Sequence, residues 1–307
     1  MNVRFNLVQC IVVFVWGGLT VSGSYAEQAS YTAKYHLDRL WPTSSENSGI
    51  VAYKQNYLLL LNSTDFPNYT PTSPNLKNQV TPSYIYAKQE AKFQFSLKSQ
   101  YPHPDILGES NSLWFGYTQQ SHWQVTNSDN SRPFRESNYE PEPLIISHQF
   151  ESPPDTRQWS PRYLNFGVVH QSNGQALPAS RSWNRVYFQL GAEKRLSDIS
   201  SMAVTIKPWM RFSENSDQDD NPDIYDYLGH GEIEMLYWYG KHLVSTLVRS
   251  RSLQFDWSWS NGGEKSLHWH VQIFSGYGES LIDYNQQHSS AGIGVSLPYD
   301  LEVNSKE

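Results

Sequence analysis

From residue 91 onward, apolar and polar residues alternate in short runs separated by polar, Gly- or Pro-containing turns. The runs cover 92–99, 112–118, 162–170, 184–191, 202–208, 231–239, 253–259, 267–274 and 291–297. Alternation at every second residue sorts side chains onto the two faces of a strand. The pattern predicts about ten strands of roughly eight to ten residues, the length a tilted strand needs to cross a bilayer. No repeat of fixed period recurs, which disfavours a propeller. Polar loops are expected over 100–111, 124–142, 171–183 and 213–228, and in a barrel these would mostly be external. Residues 27–80 read as loop-rich, with Pro42, Pro67, Pro71 and Pro74, although the apolar stretch 51–61 reads as an early strand or a packing segment.

Composition narrows the class without settling it. The chain is 14% aromatic, yet its mean hydropathy is −0.60. Such values suit a membrane barrel with aromatic girdles, and a soluble all-β sandwich equally well. Past the N-terminus no run of 18 or more apolar residues occurs, so no transmembrane helix is expected. A net charge of −7, with no basic face, gives no sign of a nucleic-acid partner.

The N-terminus reads as a secretory signal over residues 1–26. Arg4 precedes a mostly apolar stretch over 7–15, and Ser24-Tyr25-Ala26 offers small residues at −3 and −1 for cleavage before Glu27. The expected mature domain is then 27–307. Cys10, the only cysteine, lies inside the signal, and Val8-Gln9-Cys10 does not read as a lipid-attachment site, so the mature chain has no disulfide to stabilise it.

Candidate chemistry concentrates in residues 162–185. On the first strand Leu164, Phe166, Val168 and His170 share a face, and two further residues bring Ser172 to it; on the second, Asn184, Val186, Phe188 and Leu190 do the same. In a membrane barrel this apolar face meets lipid. A Ser, a His and an Asn at its rim fit an ester hydrolase whose substrate arrives from the membrane. Ser172 would attack the carbonyl, His170 would take and return the proton, and Asn184 would hold the other imidazole nitrogen. A polar hairpin rim without chemistry is the alternative reading. No GxSxG elbow is present. The acidic run 217–223 lacks EF-hand spacing and reads as a solvated loop or as a calcium contact.

Several spaced motifs add a resemblance. They are His170-Gln171-Ser172-Asn173-Gly174, residues 180–185 (SRSWNR), 133–136 (PFRE), 138–141 (NYEP), 207–209 (KPW), 220–223 (DNPD) and 275–285 (SGYGESLIDYN). Together, in this order over roughly 50–297, they resemble the outer-membrane phospholipase A family. The resemblance implies an all-β, twelve-stranded antiparallel transmembrane β-barrel in the bacterial outer membrane. It also implies hydrolysis of sn-1 and sn-2 esters of phospholipids and lysophospholipids, an idle monomer and an active, calcium-dependent homodimer. Carried over residue by residue, it makes Ser172, His170 and Asn184 the triad. Calcium would be held by the Gln175 backbone carbonyl and Ser180 of one subunit and Ser131 of the other. The Gly174 N–H would face the oxyanion, Gln119 would lie at the dimer interface, and Asp220 would be linked to a calcium site of the monomer.

Three positions depart from the family. Gln175 stands where an Arg can occur, a change that a backbone ligand survives. Leu177 stands where an acidic partner of Asp220 can occur. The chain ends Val303-Asn304-Ser305-Lys306-Glu307 rather than on an aromatic residue. Two other functions compete: a lipid A deacylase, which should use an acidic third residue, and a barrel without activity.

Overall fold

The computed structural model describes residues 35–41, 49–81, 85–102, 108, 110–151, 157–260, 262 and 266–299. The expected signal (1–26) and the C-terminal tail (303–307) lie outside the described residues. A short helix α1 (His36–Leu40) precedes the strands β1 (Ile50–Ala52), β2 (Tyr57–Thr64), β3 (Gln89–Gln100), β4 (Asn111–Trp123), β5 (Phe134–Gln149), β6 (Ser160–Ser172), β7 (Ser182–Ser197) and β8 (Ser200–Arg211). Helix α2 (Ile224–Leu228) follows, and then β9 (Gly231–Tyr239), β10 (His242–Arg249), β11 (Ser252–Trp259), β12 (His268–Gly276) and β13 (His288–Ser296).

All pairings are antiparallel. Each strand from β2 onward bonds the next, and β13 returns to β2, closing the ring. β1 and β2 lie along one edge of β3, β1 opposite Leu97–Ser99 and β2 opposite Gln89–Gln94. They are one barrel strand in two pieces, so thirteen segments make a closed barrel of twelve strands. At the break Asn56 stands in for backbone: its Nδ2 donates to Ser96 O at 2.9 Å and its Oδ1 accepts from Ser96 N at 2.7 Å. The ladder bonds lost there are replaced rather than left open.

Burial decides between the two classes that composition leaves level. Large apolar side chains face outward, among them Leu60 at 63% exposure, Phe95, Leu164, Phe188, Ile206 and Met210. Charged ones face inward: Lys92 and Glu142 are fully buried. A soluble sandwich would be the reverse, because water on the outside and an apolar interior favour opposite faces. This inversion is that of a barrel with lipid outside. Many inward charges find partners inside the barrel, although Glu142 Oε1 itself accepts no hydrogen bond. Glu142 accepts from Tyr187 Oη at 2.5 Å and Tyr53 Oη at 3.2 Å, with Lys54 and Lys207 within 4 Å. Gly167 makes room for this network, since a Cβ there would lie 2.3 Å from the Tyr187 ring.

Helix α1 closes part of the interior. Its first N–H groups, of His36 and Leu37, donate to Glu193 at 3.2 and 2.9 Å, and Asp38 pairs with Arg162 at 2.7 Å. Trp41 packs edge-on against Tyr53 and Trp114. Residues 27–80 are therefore only partly loop, since they hold this helix and a barrel strand.

Two strands depart from the sequence pattern. β5 occupies Phe134–Gln149, much of it expected as loop, and β10 falls between the alternating runs at 231–239 and 253–259. β5 carries Glu140-Pro141-Glu142-Pro143, and a strand containing two prolines reads as a break. Its pairing with β6 skips a residue between Tyr139 and Leu144, so the prolines sit in a bulge where ladder bonds are already lost. The loop at 101–110 joins β3 to β4 at the end opposite to 173–181, whereas the loops at 65–88, 124–133, 173–181, 212–230 and 277–287 share one end.

Candidate active site

Strands β6 and β7 pair with His170 opposite Asn184 and Ser172 opposite Ser182. His170 Nδ1 lies 2.8 Å from Asn184 Oδ1. Both side chains are half-buried, at the outer ends of the apolar rows formed by Leu164, Phe166 and Val168 and by Val186 and Phe188. Ser172, also half-buried, is the last residue of β6 and shares that face. Strand residues two apart lie about 6.6 Å apart along the chain, a span that an imidazole and a hydroxymethyl group leaning together can close.

The inward residues between them fix this arrangement. Gln171 accepts from Trp183 Nε1 at 2.8 Å and from Arg185 Nη2 at 3.1 Å. The Arg185 guanidinium lies 3.9 Å from the centroid of the Trp183 ring. Val169 and Trp183 are buried against Leu281 and Tyr284. Because side chains alternate, locking 169, 171, 183 and 185 inward holds 170, 172 and 184 outward.

The β6–β7 loop is cross-braced by one residue. Asn173 is buried; its Oδ1 accepts from Arg181 N at 2.9 Å and Gln175 N at 3.3 Å, and its Nδ2 donates to Ala179 O at 2.8 Å. The next residue, Gly174, is exposed and has φ +64°. A Cβ there would also stand 3.0 Å from the Tyr139 ring, so glycine suits the position on two counts. Gln175 is exposed on the same turn.

Ser180 and Asp220 come together. Ser180 Oγ donates to Asp220 Oδ2 at 2.6 Å, and Asn78 Nδ2 donates to Asp220 Oδ1 at 3.0 Å and to Ser180 O at 2.9 Å. Asn78 is fully buried, and only its place in a Ser/Thr/Asn/Pro-rich stretch marks it in the sequence. The acidic run is not simply solvated: Asp219 pairs with Arg211 at 2.5 Å, and Asp223 accepts from Tyr284 Oη. Leu177, where an acidic residue can occur, is 57% exposed. Ser131 sits apart on the β4–β5 loop, exposed, with φ +59° and its N–H on Ser128 O.

Gln119 lies on the same transverse row as the nucleophile candidate. Phe95 faces Gln119, Gln119 faces Tyr139, Tyr139 faces Ser172, and Ser172 faces Ser182 across successive strands. Gln119 accepts from Tyr117 Oη at 3.0 Å and donates to Ser121 Oγ at 3.1 Å. Phe95, beside it, is 51% exposed. A further residue comes from the 212–230 loop. Glu214 Oε1 accepts from Asn184 Nδ2 at 3.3 Å. Withdrawal from water pushes its carboxyl above the ordinary value, with Arg211 opposing the rise and Asp219 adding to it. Nothing in the sequence marks Glu214, which lies 30 residues from Asn184.

Residues 36–297 match the sequence profile of the family described as Phospholipase A1. The chain belongs to the phospholipase A1 family. It is 37% identical over 262 residues to the phospholipase A1 of Escherichia coli (strain K12), covering 80% of each. Its fold is similar to that of the outer membrane phospholipase A of Escherichia coli, with a TM-score of 0.70 and 32% identity over 84% of this chain and 97% of that one. It is equally similar to the Salmonella typhi outer membrane phospholipase dimer with bound calcium, with a TM-score of 0.71 and 32% identity over 84% of this chain and 96% of that one. This member of the phospholipase A1 family is an outer-membrane phospholipase and a hydrolase. The acidic third residue expected of a lipid A deacylase is not opposite His170, where Asn184 stands.

Proposed function

We propose that the chain hydrolyses sn-1 and sn-2 acyl esters of phospholipids and lysophospholipids on the lipid-facing side of the barrel, through Ser172, His170 and Asn184. The observation that carries this reading is the 2.8 Å contact between His170 Nδ1 and Asn184 Oδ1 on the outward face. With Nδ1–H donated to Asn184, His170 Nε2 is left with the lone pair that takes the Ser172 proton as the hydroxyl attacks the carbonyl. The same nitrogen returns that proton to the departing glycerol or lysophospholipid oxygen, and water then repeats the sequence on the acyl-enzyme. The Gly174 N–H, two residues beyond the nucleophile on an exposed turn, is the backbone donor offered to the developing oxyanion.

The donor set also suits calcium, a hard cation that prefers oxygen ligands. Ser180 directs its proton to Asp220 Oδ2, which leaves its Oγ lone pairs for an ion. Asp220 in this reading orients a ligand rather than supplying one, and its other oxygen is taken by Asn78. The Gln175 carbonyl and Ser180 of one subunit, with Ser131 of a second copy, would hold the ion. When bound, it would supply positive charge near the carbonyl oxygen. Gln119 supports the dimer, because a polar side chain among outward Phe95 and Tyr117 is a poor neighbour for lipid and a good one for a second barrel. It lies two strands, about 10 Å, from Ser172. The idle form would then be the monomer.

The test is hydrolysis of phospholipid vesicles by the purified barrel with calcium or with chelator, beside Ser172→Ala, and with sulfonyl fluoride labelling to map the modified serine. Activity should need calcium and Ser172. Full activity in chelator would remove the calcium role, and a label on another serine would remove the triad.

A further inference from the structure

Asn184 has two chemically different ends. Its Oδ1 faces His170 Nδ1, and its Nδ2 donates to Glu214. The two ends of an amide are almost the same shape, so packing alone does little to choose which one meets the imidazole. An ionised carboxylate makes the choice, because it can only accept. With Glu214 at one end, Nδ2 must turn toward it and Oδ1 must turn toward His170. Oδ1 in turn can only accept, so the proton on the neutral imidazole must sit on Nδ1. His170 Nε2 is then the free base on the side of Ser172.

The loop that brings Glu214 is itself tied to the strand it serves. Phe212 N donates to Asn184 O at 2.9 Å, continuing the β7–β8 ladder up to the residue two before Glu214. The charged neighbours of Glu214 are Arg211, Asp219 and Asp220, and Arg211 is bonded to Asp219 at 2.5 Å. Glu214 is half-buried, and Asn184 is the hydrogen-bond donor it receives.

We propose that Glu214 is a positioning residue that fixes the orientation of the Asn184 amide and, through it, the tautomer of His170, extending the site to Ser172–His170–Asn184–Glu214. This rests on the triad reading given above. It explains how a neutral third residue serves where an acid would otherwise be needed: the negative charge is present one hydrogen bond further out.

Glu214→Gln and Asn184→Asp, alone and combined, test it. In the wild-type background, the Gln variant carries an NH2 as well as a carbonyl, so the choice between the two amide orientations is lost. Expected is a fall in kcat of about five- to tenfold, with KM unchanged. In the Asn184→Asp background the native Glu214 faces a second carboxylate with no proton between them, an arrangement that like charges disfavour. There Glu214→Gln supplies a donor and should raise kcat. Opposite signs in the two backgrounds are a result that a merely structural loop residue would not give. The same sign in both, or no change in either, overturns the proposal. Ser172→Ala keeps the two readings apart. If it remains active the triad itself fails, and if it is inactive while the sign reversal is missing only the role of Glu214 falls. Heat-dependent mobility on detergent gels checks that each variant is a folded barrel.

Discussion

Lys92→Met tests the claim that charged residues inside this barrel support its active-site end. Lys92 is fully buried, and its Nζ reaches Glu279 Oε1 at 2.8 Å and Gln272 Oε1 at 2.7 Å. Burial alone would raise the Glu279 carboxyl; Lys92 and His288 reverse this and hold it well below the ordinary range. Removing one partner of a buried pair typically costs about 3–5 kcal/mol, because the other charge is left uncompensated. Glu279 keeps His288 Nε2 and Ser290 Oγ, each at 2.6 Å, so the low end, about 3 kcal/mol, is expected. That is on the order of a hundredfold in the folding equilibrium.

The assay is urea unfolding in lipid vesicles followed by tryptophan fluorescence. Glu279→Gln placed on top of Lys92→Met should recover about half the loss or more, since the uncompensated charge is gone. The pH dependence has a definite sign. A depressed carboxyl stabilises the fold above its unfolded pKa and loses that contribution as pH falls through the folded one. Without Lys92 the folded pKa rises, so the deficit against wild type should be largest near neutrality and shrink as pH falls through the carboxylate range. A single variant within 1 kcal/mol of wild type, or a double variant no better than the single, would refute the reasoning.

Three further outcomes are expected. Asn184→Ala removes the partner of His170 Nδ1, a bond that becomes charge-assisted when the imidazole is protonated, so kcat should fall about 10- to 100-fold at unchanged KM; a loss confined to KM would count against the triad. Phe188→Arg, on the outward face of β7 where Phe188 is 51% exposed, should destabilise the barrel by about 2–4 kcal/mol in bilayers, and a negligible loss would mean that this face does not meet lipid. Ser180→Ala should weaken calcium activation while Ser180→Thr retains it; equal calcium titrations for the two variants would remove Ser180 from the ion site.

Strand alternation made the architecture legible because the barrel places almost every second residue in lipid. Leu164, Phe166 and Val168 mark the outward face by their alternation, and His170 and Ser172 follow by parity alone. β5 escaped because Pro141 and Pro143 read as a break, although a bulge accommodates them, and because Glu140 and Glu142 read as loop although they face an interior lined with Lys54, Arg185 and Lys207. The pairing of His170 with Asn184 was within reach of one hairpin. Asn78 and Glu214 were not, since they arrive from loops far along the chain and nothing in their local sequence distinguishes them from other polar loop residues. Long-range contacts of this kind depend on how a closed ring brings its connections to one end, and periodicity carries no information about that.

The interior and the exterior of this barrel are coupled by the two-residue period of its strands. Each outward residue of the site has inward neighbours in the chain, and these are anchored inside the barrel: Val169 and Trp183 are buried, while Gln171 and Arg185 bond each other. Arg185 continues inward to Glu140 at 3.3 Å, and Glu140 to Lys54 at 2.5 Å. On the other side Leu281 and Tyr284 pack beneath the same strands, on a loop anchored where Leu281 N and Ile282 N donate to Asn138 and Glu136 at 3.0 and 3.1 Å. On the triad reading proposed above, substrate arrives at an outer surface, where no cleft can enclose the reacting groups. Here a network of charges and hydrogen bonds inside the barrel does that work, holding the backbone so that the side chains left outside have few conformations to choose from.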